Sequence, residues 1–236
     1  MRSCCTLAGP FDRPVLRLLV AVAAALAVLL VNGSIVRAGT PSGDIAVTFG
    51  SSEVWNPTQI AVEQLHNCGQ PTVTCVSTVM RSNGASPQGI AFYRLTAWFL
   101  TEIESGNPVA LGTVLNPWRA NENLQPALLG GSPAVVLPEV EVANIDTSSW
   151  SSDPMYAALK AAYPNVMFWG SGPSLEMIGS SSSGGPRFVF DYHMLDGCHA
   201  CATVALARIA FDFAPDGTYL STQQLNLSPA PAAAGG

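Results

Sequence analysis

The chain has 236 residues, of which 48% are hydrophobic and only 11% charged, with ten Lys and Arg against sixteen Asp and Glu. A chain of that size and apolar content buries a real core as one domain or two small ones. The formal charge of −6 supplies neither the basic footprint that nucleic acid requires nor a polybasic patch for anionic lipid.

The N-terminus carries Arg2, Arg13 and Arg17, then the charge-free run Leu18–Val31, then Val36-Arg37-Ala38. The run is shorter than the roughly 20 apolar residues that cross a bilayer comfortably. A basic start, a short apolar stretch and a small-residue site define an export signal, expected over residues 1–38. An uncleaved anchor is the alternative, and both place the rest outside the cytoplasm. Beyond Ala38 the basic residues are Arg81, Arg94, Arg119, Lys160, Arg187 and Arg208, and the formal charge is −9. A single α+β domain is expected over 39–227, with a low-complexity tail over 228–236 that has nothing to bury.

Four cysteines follow the signal: Cys68, Cys75, Cys198 and Cys201. An even number in an oxidising compartment implies disulfides. Short loop closure favours the local pairs Cys68–Cys75 and Cys198–Cys201, while crossed pairings stay open.

In chain order, residues 39–50 look like a linker entering a short strand. In WNPTQIAVEQLHNCG, Asn56, Pro57 and Gly69 stand where helix start and stop signals belong. TCVSTVMRSNGAS predicts a second, short helix ending at Asn83-Gly84. SPQGIAFYRLTAWFLTEIES predicts one long helix, with Ile90, Ala91, Leu95, Phe99 and Leu100 at helical spacing. Its terminal Glu102 and Glu104 would oppose the macrodipole. PVALGTVLN reads as a strand, and LQPALL-GG-SPAVVLPEV as two strands across Gly130-Gly131.

SSDPMYAALKAAYPN predicts a helix capped by Ser152 or Asp153, and VMFWG a buried strand. GSSSSGGP, 179–186, is a flexible loop. RFVFDYHM, TVALARIAFDF and TYLSTQQL read as strands, the last two joined by Ala214-Pro215-Asp216-Gly217. Helices early and meandering strands late favour α+β, an antiparallel sheet mostly from the C-terminal half with helices packed on one face.

Chemistry concentrates in YHMLDGCHACATVALARIAFDF, residues 192–213. A histidine inside Cys-x-x-Cys can stabilise a thiolate and make the disulfide oxidising, so Cys198 and Cys201 are candidates for a thiol–disulfide enzyme. Yet the motif sits near the C-terminus and no βαβ pattern surrounds it. Asp191, His193 and His199 could ligate a metal, since Asp191 and His193 share one strand face, but zinc sites usually bring a second spaced pair and only His66 is left elsewhere. Covalent haem needs a histidine directly after the second cysteine, where Ala202 stands. No cofactor is implied.

The third reading is a staple. Leu195-Asp196-Gly197 ends a strand and the disulfide closes a tight loop holding His199 at its tip beside Asp196. His199 then either caps a turn or enters a partner's cleft, a pre-organised loop reducing the entropic cost of binding. In this the loop resembles the disulfide-closed, histidine-bearing loop of the secreted inhibitors of vertebrate lysozyme. The likeness is confined to the mechanism, since this loop is shorter and the rest of the chain gives no match.

A second candidate is the polar loop Asn116–Asn123, where Trp118 and Arg119 are common binding anchors and Arg119 and Glu122 suggest an ion pair. Its plain alternative is a connection with Trp118 folded onto the core. Glu139 and Glu141, alternating on one strand face, read as solvated. Trp55, Trp98, Trp150 and Trp169 are expected in the core. Hydrolase, Walker, dinucleotide and His-Glu-x-x-His motifs are absent. The sequence thus favours an exported, disulfide-stabilised protein that binds another protein or a small extracytoplasmic ligand without catalysis, using Asp196, His199, Trp118 and Arg119.

Overall fold

The computed structural model describes residues 48–69 and 71–230. The expected export signal and most of the linker lie outside them, as does the tail beyond residue 230. The described residues fall in one compact unit with an α+β fold built from two antiparallel sheets of four strands each.

Three helices come first: α1 (Gln59–His66), α2 (Val73–Ser82) and α3 (Pro87–Thr96). Each starts on a hydroxyl that accepts a backbone N–H of the first turn: Thr58 from Ala61, Thr72 from Cys75 and Ser86 from Gly89. The first cap is therefore Thr58, two residues after Asn56. The Cys68–Cys75 bridge joins the end of α1 to the start of α2.

The long helix expected from residue 86 stops at Thr96. Ala97 takes a left-handed conformation with φ 62°, and Thr96 Oγ1 accepts the Trp98 N–H at 3.1 Å. The remaining residues form strand β1 (Phe99–Glu104) against β2 (Ala110–Leu115). Phe99 and Leu100 suit either periodicity, and pairing with β2 decides between them. Glu102 and Glu104 thus belong to a strand and never meet a helix dipole.

The first sheet continues with β3 (Leu124–Leu129) and the two-residue β4 (Val135–Val136) in the order β1-β2-β3-β4. Pro138–Val142, expected as strand, forms the short helix α4. A 3-10 helix follows at Thr147–Ser152, then α5 (Pro154–Ala162), started by the Asp153 carboxylate on the Met155 N–H at 2.8 Å. The second sheet is a meander, β5 (Val166–Ser180), β6 (Pro186–Asp196), β7 (Thr203–Phe213) and β8 (Tyr219–Pro229), paired in chain order.

The first sheet is buried on both faces. Successive strand residues point to opposite sides: Ala127 and Leu129 join Phe92 of α3 in one cluster, while Leu128 joins the core under the second sheet. That second core takes Phe188, Phe190, Tyr192 and Met194 from β6, Ile209, Phe211 and Phe213 from β7, and Trp150 and Leu159 from the helices above them. The helices therefore form two groups with different partners. α1–α3 pack on the first sheet, whereas α4, the 3-10 helix and α5 contribute to the core of the second.

The other face of the second sheet carries ion pairs. Arg187 holds the buried Asp212 through two bonds of 2.5 and 2.6 Å. Arg208 grips Glu176 with two nitrogens and lies 3.9 Å from Asp191. Among the described residues no helix is long and apolar enough to cross a membrane.

Candidate functional site

The ladder between β5 and β6 breaks in one place. Register passes from Trp169↔His193 to Ser174↔Asp191, so residues 170–173 are looped out of it. A bulge of this kind re-aims side chains, and here Trp169, Ser171 and Gly172 meet two other segments.

The first is the Cys198–Cys201 loop. β6 ends at Asp196, whose N–H bonds the Ala202 carbonyl at 3.1 Å. Gly197 turns the chain at φ 81°, where a Cβ would lie 3.0 Å from Asn165 Cβ, so a side chain there meets both strain and a neighbour. The bridge closes the loop with the two Cα atoms 5.1 Å apart. His199 stays about half exposed, and its ring lies on Trp169, centroids 4.5 Å apart and planes tilted by 36°, within the range of attractive ring pairs.

The second is the Asn116–Asn123 loop. Glu122 adopts φ 51°, an uncommon conformation for a residue with a side chain, and this turns its carboxylate toward Trp169 and His199. The Trp169 indole N–H donates to both Glu122 oxygens at 3.0 and 3.1 Å, and His199 Nε2 stands 3.4 Å from Glu122 Oε1. Gly172, with φ 64°, passes so close that a Cβ would sit 3.3 Å from Glu122 Cγ. Gln125 ties the parts together, donating to the Glu122 carbonyl at 2.7 Å and accepting the Gly172 N–H at 3.2 Å.

A second knot adjoins the first through the same bulge. Arg119 donates to both oxygens of Glu139, one at 2.9 Å, and to Ser171 Oγ at 3.1 Å. Ser171 in turn donates to Glu139 at 3.0 Å. Two parallel bonds between guanidinium and carboxylate are the strong, direction-fixing kind. The guanidinium lies 5.3 Å from the centre of the Trp98 ring, a cation–π distance.

The fold thus joins the two segments singled out in the sequence, His199 from one and Arg119 from the other, on a shared bulge. The partners differ from those the sequence suggests. Arg119 pairs with Glu139 rather than Glu122. Glu139 sits on α4, not on a strand, and is tied down while Glu141 is exposed. Trp118 packs beside Phe99 at 6.1 Å, with its indole N–H buried and unbonded among the described residues, so it supports the ledge from below. Trp169, expected in the core, is a half-buried wall of the site. Asp196 is exposed and its carboxylate makes no bond among the described residues. The contributions of Glu122, Gln125, Ser171 and Gly172 depend on the bulge, which no local pattern announces.

Asp191 and His193 lie on β6 at the two ends of the register break, opposite Ser174 and Trp169, but their side chains make other contacts. His193 Nδ1 is 3.1 Å from Thr203 Oγ1. Burial, then the neighbouring Glu176, pushes the Asp191 carboxyl above the ordinary range, against weaker opposing pulls from Arg208 and His193. The attraction of Arg208 is blunted because Glu176 already engages it. Among the described residues no group of three or more His, Cys, Asp and Glu could hold a metal ion. Nor does any hydroxyl among them hydrogen-bond to His199, as an activated nucleophile would.

No family model matches the chain, and no curated protein or solved structure does either.

Proposed function

We propose that this is an exported binding protein whose recognition surface is the ledge formed by the Cys198–Cys201 loop, the 116–123 loop and the β5 bulge. One observation carries the reading: two segments 75 or more residues apart in the chain converge so that His199, Glu122 and Trp169 interlock beside the Arg119–Glu139 pair. His199, Glu122 and Arg119 are each held by a neighbour, so little of their conformational freedom remains to be lost on binding. The two local disulfides fit an oxidising compartment, and the N-terminal sequence supplies a route to it. The ligand is a protein surface or a small extracytoplasmic molecule that accepts bonds from the imidazole and packs against the rings.

The test is capture from the extracytoplasmic fraction of the source cells by the wild-type protein and by the His199→Ala and Glu122→Gln variants as baits. A species retained by the wild type and lost by both variants, with circular dichroism unchanged, supports the ledge as the binding surface. Equal retention by all three overturns it.

A thiol–disulfide oxidoreductase is the second reading, favoured by the exposure of Cys198 beside His199 and the half-burial of Cys201. Equilibration with glutathione buffers separates the two. A structural bridge has a potential below about −300 mV, an oxidising enzyme one of roughly −120 to −200 mV.

A further inference from the structure

Beyond the bulge, β5 runs along an outer edge of the second sheet. It pairs with β6 alone in the order β5-β6-β7-β8, and Ser174–Ile178 are exposed one after another. An edge strand presents a row of backbone N–H and C=O groups that another strand can bond, and proteins ordinarily guard it with lysine, proline or free charge. Ser174-Leu175-Glu176-Met177-Ile178-Gly179-Ser180 has no lysine or proline. Its one charge, Glu176, is gripped by two nitrogens of Arg208, while Leu175, Met177 and Ile178 stay 38–54% exposed. The opposite edge is treated differently. β8 is tied to the 3-10 helix and α5, where Gln224 donates to the Asp146 carbonyl at 2.8 Å and the Leu227 N–H meets the Asp153 carboxylate at 3.5 Å.

The free edge is also complementary to itself. Residues directly opposite in an antiparallel pair share a face. Leu175 and Ile178 stand opposite Phe190 and Phe188, so they lie on the core face. Met177 stands opposite Val189, on the other face, where Arg208 holds Glu176. The irregularity of the ladder between Leu175 and Met177 thus sets Glu176 and Met177 side by side. A two-fold axis between these two residues places Leu175 against Ile178 of a second copy on one face and Met177 against its Glu176 on the other. Each side chain then meets one from its own face, and the charge brought to the axis is already neutralised.

We infer that two copies of this chain pair antiparallel through Ser174–Ser180 about that axis, joining their four-stranded sheets in an isologous dimer. A contact of one strand belongs with small, transient interfaces, under about 1,200 Å², so the dimer is weak and forms in the micromolar range. Its residues begin after the bulge, so its success or failure leaves the proposed recognition surface untouched.

Sedimentation velocity tests it on the protein lacking residues 1–38, whose apolar run would add its own self-association and which lie outside the compact unit formed by the described residues. A monomer should give way to a dimer between low micromolar and a few hundred micromolar concentration. Ile178→Lys, which sets two ammonium groups near the axis, should raise the dissociation constant about tenfold or more with circular dichroism unchanged. Leu220→Lys, a similarly exposed change on β8, should leave it as in the wild type. Copies carrying Leu175→Cys mixed with copies carrying Ile178→Cys should form an interchain disulfide more efficiently than either variant alone, since opposed Cβ atoms lie about 4.5–5.5 Å apart. A monomer at every concentration overturns the dimer and leaves the edge to a strand of another protein. A dimer that survives Ile178→Lys, or is lost equally with Leu220→Lys, overturns the assignment to β5. Cross-linking as efficient within one variant as in the mixture overturns the register.

Discussion

His199 illustrates how a contact changes the expected cost of a mutation. As an exposed turn residue it would alter stability by less than about 0.5 kcal/mol on removal. Stacked on Trp169 and facing Glu122, it loses a ring contact worth about 0.5–1.5 kcal/mol. His199→Ala should therefore lower stability measurably by urea titration without unfolding the protein, and should weaken binding of a ledge partner by about 1–3 kcal/mol. A loss of fold in this variant would make the histidine a structural group and move the search for binding to Arg119. Asp191 makes the opposite case. Its folded pKa is raised, chiefly by burial, so its ionised form opposes folding. The penalty is absent well below the unfolded value, near 3.9, and grows as pH rises through the folded one. Asp191→Asn should then gain in melting temperature relative to wild type between pH 3 and pH 7. A gap that narrows or stays constant over that range would show Arg208 to dominate.

At the scale of elements, the sequence speaks clearly where one local force decides. Thr72, Ser86 and Asp153 cap helices because a short oxygen side chain answers a first-turn N–H; Ser86 is legible in the chain, Asp153 is one of the two caps it offers beside Ser152, and Thr72 falls before the segment read as helix. The meander β6–β8 is legible too, from alternating apolar residues and a glycine turn. The start of α3 is legible at Ser86-Pro87, but its end at Thr96 is not, because Phe99 and Leu100 satisfy both periods and only the β2 pairing chooses. Nor is α4, where Pro138 opens a helix inside an apolar run that resembles a strand. The site suffers most from this limit. His199 and Arg119 stand out by composition, whereas Ser171 and Gly172 enter through the β5 bulge, a product of sheet pairing rather than of local spacing, and Glu139 enters from α4. The loop itself yields a direct prediction. Cys68, Cys75, Cys198 and Cys201 are all bridged, so denatured, unreduced protein lacking residues 1–38 should show no free thiols. Replacing both Cys198 and Cys201 with Ser should weaken ledge binding while leaving far-UV circular dichroism intact, since the loop loosens without losing its contacts with partners.

On the scale of the whole molecule, the question is whether two sheets make one folding unit or two. The core answers it. Val109, Leu128 and Val136 of the first sheet's region share one buried cluster with Phe190, Tyr192, Ile209 and Phe211 of the second, and the Ser132 carbonyl accepts the Tyr219 N–H at 2.9 Å. A cluster that spans both sheets couples their stabilities, because neither can separate without exposing apolar surface of the other. Leu128 is the sharpest probe. It lies opposite Val136 in the β3–β4 pair, is 1% exposed, and faces the second sheet's core while its neighbours Ala127 and Leu129 face α3. Leu128→Ala should cost about 2–5 kcal/mol, the range for deleting a buried leucine. The whole protein should still unfold in one urea transition, seen alike by tryptophan fluorescence and by circular dichroism. Separate transitions for the two probes, with only one of them moved by the substitution, would show that the sheets fold independently and that the ledge between their loops is held by its own bonds alone.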